Sequence, residues 1–248
     1  METVQHPNDG PGPRWPIDPA SLMHGPAHPC SYLAGRWAES DWFVASQLPA
    51  GAYHSLMDLN FRRSGALFYR AACDGCQECK AIRVAVQEFQ PNRSQRRCWR
   101  RNQDITVSVG PPVPTEDKLE VYQRYLRDRH DREMGGSWSE FCAFLYNSPL
   151  HTREVVYRQA GQVLAAGIVD VEPHAVSTVY CYYDPDASGR ALGVFNVLWT
   201  IDWCRRKQVP YVYLGYFVRE CNKMNYKAHY RPCELLEPDG RWRRMADE

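Results

Sequence analysis

The sequence predicts an α+β protein, in which a small cysteine-containing N-terminal unit precedes a mainly antiparallel sheet with helices. Three observations predict it. Short β-rich runs and three closely spaced thiols occupy the first 110 residues, and the prolines at 111, 112 and 114 then interrupt the chain. Beyond them, two helical segments, three consecutive strands, a helix and a further strand follow in order. With 248 residues, the chain can bury a sizeable core in one large domain or two small ones.

Residues 1–29 hold seven prolines and few residues able to anchor a core, which predicts a mostly extended leader. Residues 30–110 form the Cys- and Arg-rich unit, with strand-like runs at 67–70, 82–86 and 105–109. Residues 111–248 form the second unit. Thr115 is placed to cap a helix with Glu116 and Asp117 in its first turn and Leu119, Tyr122, Tyr125 and Leu126 at helical spacing. Ser137 and Glu140 make a capping box ahead of Phe141, Phe144 and Leu145. The period then changes to that of strands over 155–158, 163–171 and 176–183. A helix from about Leu192 to Arg206 and a strand from Tyr211 to Tyr216 complete the order.

Composition narrows the function classes. Thirty Lys and Arg against 29 Asp and Glu leave a net charge of +1, so any polyanionic partner must meet a local patch. Mean hydropathy is -0.56 and the longest apolar stretch, 163–169, is far too short to cross a bilayer, which predicts no membrane partner. Ten cysteines without an export signal point to a reducing cytoplasm with mostly free, buried or metal-bound thiols.

Arg93, Arg96, Arg97, Arg100 and Arg101 fall at i, i+3, i+4, i+7 and i+8, one face of a helix about 12 Å long. Like charges so placed repel one another unless an anion compensates, and guanidinium forks match phosphate oxygens. A nucleic-acid backbone is the reading preferred over a solvated face paired to acids elsewhere. Cys73, Cys76 and Cys79 at C-x2-C-x2-C spacing suit a structural zinc or an iron–sulfur cluster, with Cys30 as fourth ligand; reduced thiols in a loop are the plain alternative. Cys98 is expected on the helix face away from the arginines. The turn from Tyr183 to Gly193 opens a helix and suits an anion, but its spacing does not fit the pyrophosphate loop of acetyl-CoA-dependent acyltransferases. Near the C-terminus, Lys223, Lys227, His229 and Arg231 interleave with tyrosines, a pattern suited to a single-stranded nucleic-acid end.

The segments HPCSYL, FRRSG, CDGCQECKAIRV, FQPNRSQRRCWRRN, YYDP and YLGYFVRECNKMNYKAHYRPCE together resemble the arginyl-tRNA-protein transferase family from about Cys30 to Trp242. Gln77 follows Cys76 where the longer eukaryotic members carry adjacent cysteines, so the chain looks most like the short bacterial branch. The resemblance implies a C-terminal half folded like an N-acetyltransferase. It implies transfer of an aminoacyl group, leucyl in this branch, from tRNA to the α-amine of proteins that begin with Asp or Glu, marking them for N-degron degradation. The donor ester is already reactive, so the chemistry requires no cofactor and no enzyme nucleophile.

For the proton leaving the amine, the candidates are Asp170, Asp184 and Tyr216 at the open end of the sheet. For the acidic side chain and its peptide, they are Arg62, Arg63, Lys223, Tyr226 and Lys227. Arginyl transfer to the same acceptors, a non-catalytic zinc-stabilised RNA-binding module and a CoA-dependent acyltransferase are the competing readings.

Overall fold

The computed structural model describes residues 17–129 and 136–246. Residues 1–16 of the expected leader lie outside the described residues. Its remainder is not wholly extended, because Asp18 accepts from the Ala20 amide and caps a 3-10 turn at Pro19–Ser21.

The N-terminal part contributes β1 (Met23–His24), β2 (His28–Pro29), β3 (Trp37–Ala38), β4 (Ser40–Val44), α1 (Ala52–Asp58), β5 (Arg62–Ser64) and β6 (Leu67–Ala71). Strands β1, β4, β6 and β5 pair in that order as a small antiparallel sheet, and β2 pairs with β3 apart from it. Tyr53, Leu56 and Met57 of α1 bury against Phe43, Phe61 and Phe68, with Phe43 stacked on Phe68 at 5.0 Å between centroids. Ala175 and Tyr213 of the large sheet belong to the same cluster, so the small sheet rests on the large one.

The large sheet draws on both halves of the chain: β7 (Lys80–Ala85), β8 (Thr106–Gly110), β9 (Thr152–Gln159), β10 (Gln162–Glu172), β11 (Ala175–Tyr183), β12 (Tyr211–Phe217), β13 (Cys233–Leu236) and β14 (Trp242–Arg244). Its order is β14-β13-β7-β12-β11-β10-β9-β8. Thus β7 and β8, which precede the proline tract, pair with strands that follow it. The sheets do not part at residue 110, where the sequence analysis places its boundary, because backbone groups of a buried strand such as β7 must find neighbours wherever the chain supplies them.

The helices are α2 (Arg93–Arg101), α3 (Glu116–Arg129), α4 (Trp138–Phe141), α5 (Leu192–Arg206) and α6 (Asn222–Asn225). Alternation along the strands sorts the layers. Val155 and Tyr157 pack with α2 and α5 on one face, while Val156 packs with α3 and α4 on the other. Ser137 and Glu140 form the predicted capping box, although α4 lasts one turn before a wider turn at Cys142–Tyr146. No helix among the described residues is long and apolar enough to cross a membrane.

All pairings in the large sheet are antiparallel except β11 with β12, which α5 joins as a crossover. This matches the mainly antiparallel α+β expectation. The parallel ladder contains only Ala175 with Tyr211, Val176 with Val212 and Ser177 with Tyr213. Both strands continue beyond those pairs and part company. A bulge on each side, at Ile168/Val169 and at Tyr213/Gly215, twists the flanking ladders where the opening begins.

Candidate active site

The opening between β11 and β12 is filled by a side chain from the small sheet. Arg62 Nη2 donates to the Thr178 carbonyl at 3.4 Å, and the guanidinium lies flat against Gly215. A Cβ at position 215 would stand 2.7 Å from Arg62 Cζ and 2.9 Å from Nη2, and the φ of 88° is one that residues with side chains rarely adopt. Glycine inside the strand is therefore what admits the arginine.

Lys227 lies in the 3-10 turn Tyr226–His229, 8% exposed. Its Nζ donates to the Tyr216 carbonyl at 2.6 Å and approaches Met224 Sδ at 3.6 Å. Burial, and then the Arg62 charge, lowers its pKa to about 7. The two cations thus rest on consecutive residues of β12. No ion pair joins either of them to a carboxylate among the described residues. Cys79, Cys221 and Tyr32 surround them. Burial, followed by the nearby Tyr69 hydroxyl and Cys79 thiol, pushes the Tyr32 hydroxyl up, so it stands as a neutral donor.

The other predicted site residues are distributed differently. Arg63, next to Arg62 on β5, points the opposite way and forms a fully buried fork with Asp170, Nε to Oδ2 at 2.5 Å and Nη2 to Oδ1 at 2.7 Å. Thr152 Oγ1 donates to the same Asp170 Oδ1 at 2.5 Å. Asp170 and Arg63 therefore saturate one another in the core, which corrects their placement as proton acceptor and substrate cation. Asp184 accepts from the Asp186 amide at 3.1 Å, capping the turn Pro185–Arg190, and from Arg124 at 2.9 Å. It is a cap held in an ion pair rather than a base at the opening. Tyr216 donates to the Asn60 carbonyl at 2.9 Å and accepts from the Ala71 amide at 3.3 Å, and burial holds its hydroxyl far above the usual range. It is a strut between the sheets. Lys223 is exposed on α6, and Tyr226 is 41% exposed beside Lys227.

The five arginines of α2 all face solvent, while Gln95 and Cys98 turn inward, as the helical spacing predicts. Asn92 starts the helix with a capping box shared with Gln95. Arg96 donates to the Pro91 carbonyl at 2.5 Å, and Arg101 donates to the Gly189 carbonyl. Arg93, Arg97 and Arg100 have no ion pair among the described residues.

Cys30, Cys73, Cys76 and Cys79 are neighbours. The Cys79 thiol is pushed up to about 12, chiefly by burial and further by Cys73, Cys30 and Cys76. Their sulfurs do not converge, however. Cys73 Sγ turns to the Glu39 backbone, accepting from its amide at 3.4 Å and donating to its carbonyl at 3.6 Å, and Arg36 reaches Cys76 Sγ at 3.9 Å. Among the described residues no three Cys, His, Asp or Glu side chains are placed to hold a metal ion. This arrangement does not fit the closed tetrahedral donor set of zinc or a cluster.

Sequence reasoning did not single out Gly215, although a glycine within a strand is a sign of close backbone approach. Nor did it find Asn60, whose amide side chain bonds the Cys79 carbonyl and the Ala81 amide at 2.8 Å each and fixes the start of β7 beside the site.

Two family descriptions cover most of the chain: arginine-tRNA-protein transferase, N terminus, over residues 28–97, and arginine-tRNA-protein transferase, C terminus, over residues 117–237. A Hahella chejuensis protein named aspartate/glutamate leucyltransferase is 38% identical over 218 residues, 86% of this chain and 93% of that protein. A Stenotrophomonas maltophilia protein of the same name is 40% identical over 243 residues, 93% and 95% of the two chains. Among solved structures, FemX aligns at a TM-score of 0.45 and 10% identity, covering 69% of this chain and 61% of that one. The fold is that of an α+β transferase with a mainly antiparallel sheet. The chain belongs to the arginine-tRNA-protein transferase family and is an aminoacyltransferase.

Proposed function

We propose that the protein transfers leucine from leucyl-tRNA to the α-amine of proteins that begin with Asp or Glu, creating the destabilised N-terminus of an N-degron. One observation carries the acceptor assignment: Arg62 and Lys227, partly and almost fully buried, stand together at the strand opening without an ion pair to any carboxylate of the described residues. Desolvated cations are costly unless an anion meets them, and a bidentate guanidinium favours carboxylate over amide. The acidic side chain of the acceptor supplies that anion.

The donor is held by the exposed arginine face of α2, whose unpaired guanidinium groups suit the phosphates of an acceptor stem. Leucine is favoured because the relatives carry that name. The amine attacks the acyl carbon, the ester oxygen leaves, and alignment with oxyanion stabilisation supplies the acceleration. A structural zinc or iron–sulfur cluster on Cys30, Cys73, Cys76 and Cys79 is a separate proposal, supported by their shared corner and opposed by their side-chain directions; metal analysis of the purified protein tests it. The free cysteines of the described residues suit a reducing cytoplasm as the working compartment.

The test supplies leucyl- or arginyl-tRNA and peptides beginning with Asp, Glu or Ala, and reads the mass of the products. Leucine on Asp and Glu peptides alone supports the reading. Arginine transfer in its place assigns the other donor, and equal labelling of Ala peptides removes the acceptor assignment.

A further inference from the structure

Between α2 and α5 lies a cavity of about 370 Å³, within the size range of small-ligand sites. Its apolar walls are Phe89, Pro91, Trp99, Leu198 and Ile201. Gln95, Arg96, Trp99 and Arg100 fall at i, i+1, i+4 and i+5, so one strip of α2 gives this cavity an indole and two guanidinium groups. Arg93 and Arg97 of the same helix do not line it. Trp99 is held against Phe195 of α5 with ring centroids 5.5 Å apart, yet is only half-buried.

The polar groups around these walls are of two signs. Arg96 donates to the Pro91 carbonyl at 2.5 Å, and Arg205 donates to the carbonyls of Val86 and Phe89 at 3.0 and 2.6 Å. Arg100 has no ion pair among the described residues. Asp202 lines the cavity from α5 and meets Arg206 Nε through Oδ2 at 3.1 Å. A carboxylate accepts at about four lone-pair sites, so that one pair leaves Asp202 able to take a further N–H.

The occupant must therefore bring a flat apolar body for the indole, an N–H for Asp202 and an anion for Arg100. An anionic amphiphile lacks the N–H, and an apolar peptide side chain lacks the anion. A nucleotide has all three in its base, its exocyclic amine and its phosphate. The base must be unpaired, because pairing hides its face and its hydrogen-bonding edge. Arg93 and Arg97 continue the positive row beyond the cavity, where the neighbouring phosphates of the same strand would run.

We propose that the cavity between α2 and α5 takes one unpaired base of the donor tRNA's 3′ end, stacked on Trp99, with its amino group on Asp202 and its phosphate on Arg100. The inference rests on the donor reading of α2 and adds base recognition to phosphate recognition. Gln95 ties this cavity to the acceptor site: its Nε2 donates at 3.0 Å to the carbonyl of His229, in the turn that carries Lys227. A base lodged there anchors the acylated end beside the strand opening. Adenine, cytosine and guanine carry an amino group for Asp202, whereas uracil carries only carbonyls and a ring N–H.

The experiment measures binding by fluorescence anisotropy, using an unacylated acceptor-stem hairpin RNA with a single-stranded 3′ end ending in CCA. Each unpaired 3′ nucleotide is made abasic in turn. One position should lower wild-type affinity by about 10-fold, and the others by less than about threefold. Trp99→Leu should lose about the same factor on the intact RNA and lose no more on the abasic one, with the slope of log affinity against log salt unchanged. Equal wild-type affinity for every abasic RNA, or an undiminished abasic loss in Trp99→Leu, overturns the proposal.

Asp202→Asn leaves the packed walls untouched and guards against a Trp99 variant that does not fold. Uracil at the coupled position should weaken wild-type binding by about fivefold, and the penalty should vanish in Asp202→Asn, whose amide can donate to the uracil carbonyl. A penalty of the same size in Asp202→Asn overturns the proposal. A flat abasic scan, with Arg93→Ala and Arg97→Ala together still weakening binding, removes the cavity alone; if those two arginines have no effect either, the donor reading of α2 falls with it.

Discussion

At Gly215 the missing Cβ lets the Arg62 guanidinium lie across β12, and the positive φ is one that residues with side chains rarely adopt. Gly215→Ala should therefore cost about 1–2 kcal/mol in backbone strain and displace Arg62. We expect kcat/KM for an Asp-starting peptide to fall about 100-fold, since a misplacement of about 1 Å is worth that much; transfer kinetics on a variant verified as folded by circular dichroism read it. Lys227 gives a second residue-level prediction. Its folded pKa of about 7 lies below the ordinary 10.5, so between those values the unfolded chain binds more protons than the folded one. Stability should rise with pH across that window, and Lys227→Met should flatten the rise in urea midpoints. The motif FRRSG presents Arg62 and Arg63 as equivalent. On a strand, neighbours point to opposite faces, so one faces the opening and the other meets Asp170 in the core, a difference that only the partner strands reveal.

Strong local rules made the longer elements legible. The spacing of Gln95, Cys98 and the five arginines gives α2 its faces, the Ser137 capping box starts α4, and β9, β10, β11, α5 and β12 appear close to where periodicity puts them. Strands of two to four residues, such as β1, β5 and β14, are too short to show a period and exist through their neighbours. The role of α2 is testable as an element. Replacing Arg93, Arg97 and Arg100 together by Ala should raise KM for charged tRNA and reduce the slope of log affinity against log salt by about one for each phosphate left unneutralised. Thermal stability should hold or increase as like-charge repulsion is relieved. An unchanged salt slope would remove α2 from the donor site.

Across the whole molecule, the small sheet is fastened to the large one by joints that resemble site chemistry in sequence. Arg63 with Asp170 and Thr152 is one; Tyr216 with Asn60 and Ala71 is another; the Tyr213 hydroxyl, donating to Asp58 at 2.6 Å, is a third. Removing one side of the buried pair leaves a charge without compensation. Arg63→Met should therefore cost about 3–5 kcal/mol in chemical denaturation, and Arg63→Met combined with Asp170→Leu should recover much of it. These joints also explain why residue 110 marks no division between sheets: the proline tract ends β8, while the strands on either side of it share one ladder. Acceptor selection depends on the basic side chains at the strand opening reading the acceptor's first side chain. The most direct measurement is the ratio of kcat/KM for Asp- over Asn-starting peptides in the wild type and in Arg62→Gln. A large wild-type ratio that collapses toward unity in the variant is expected, and an undiminished ratio in Arg62→Gln removes Arg62 from acceptor recognition.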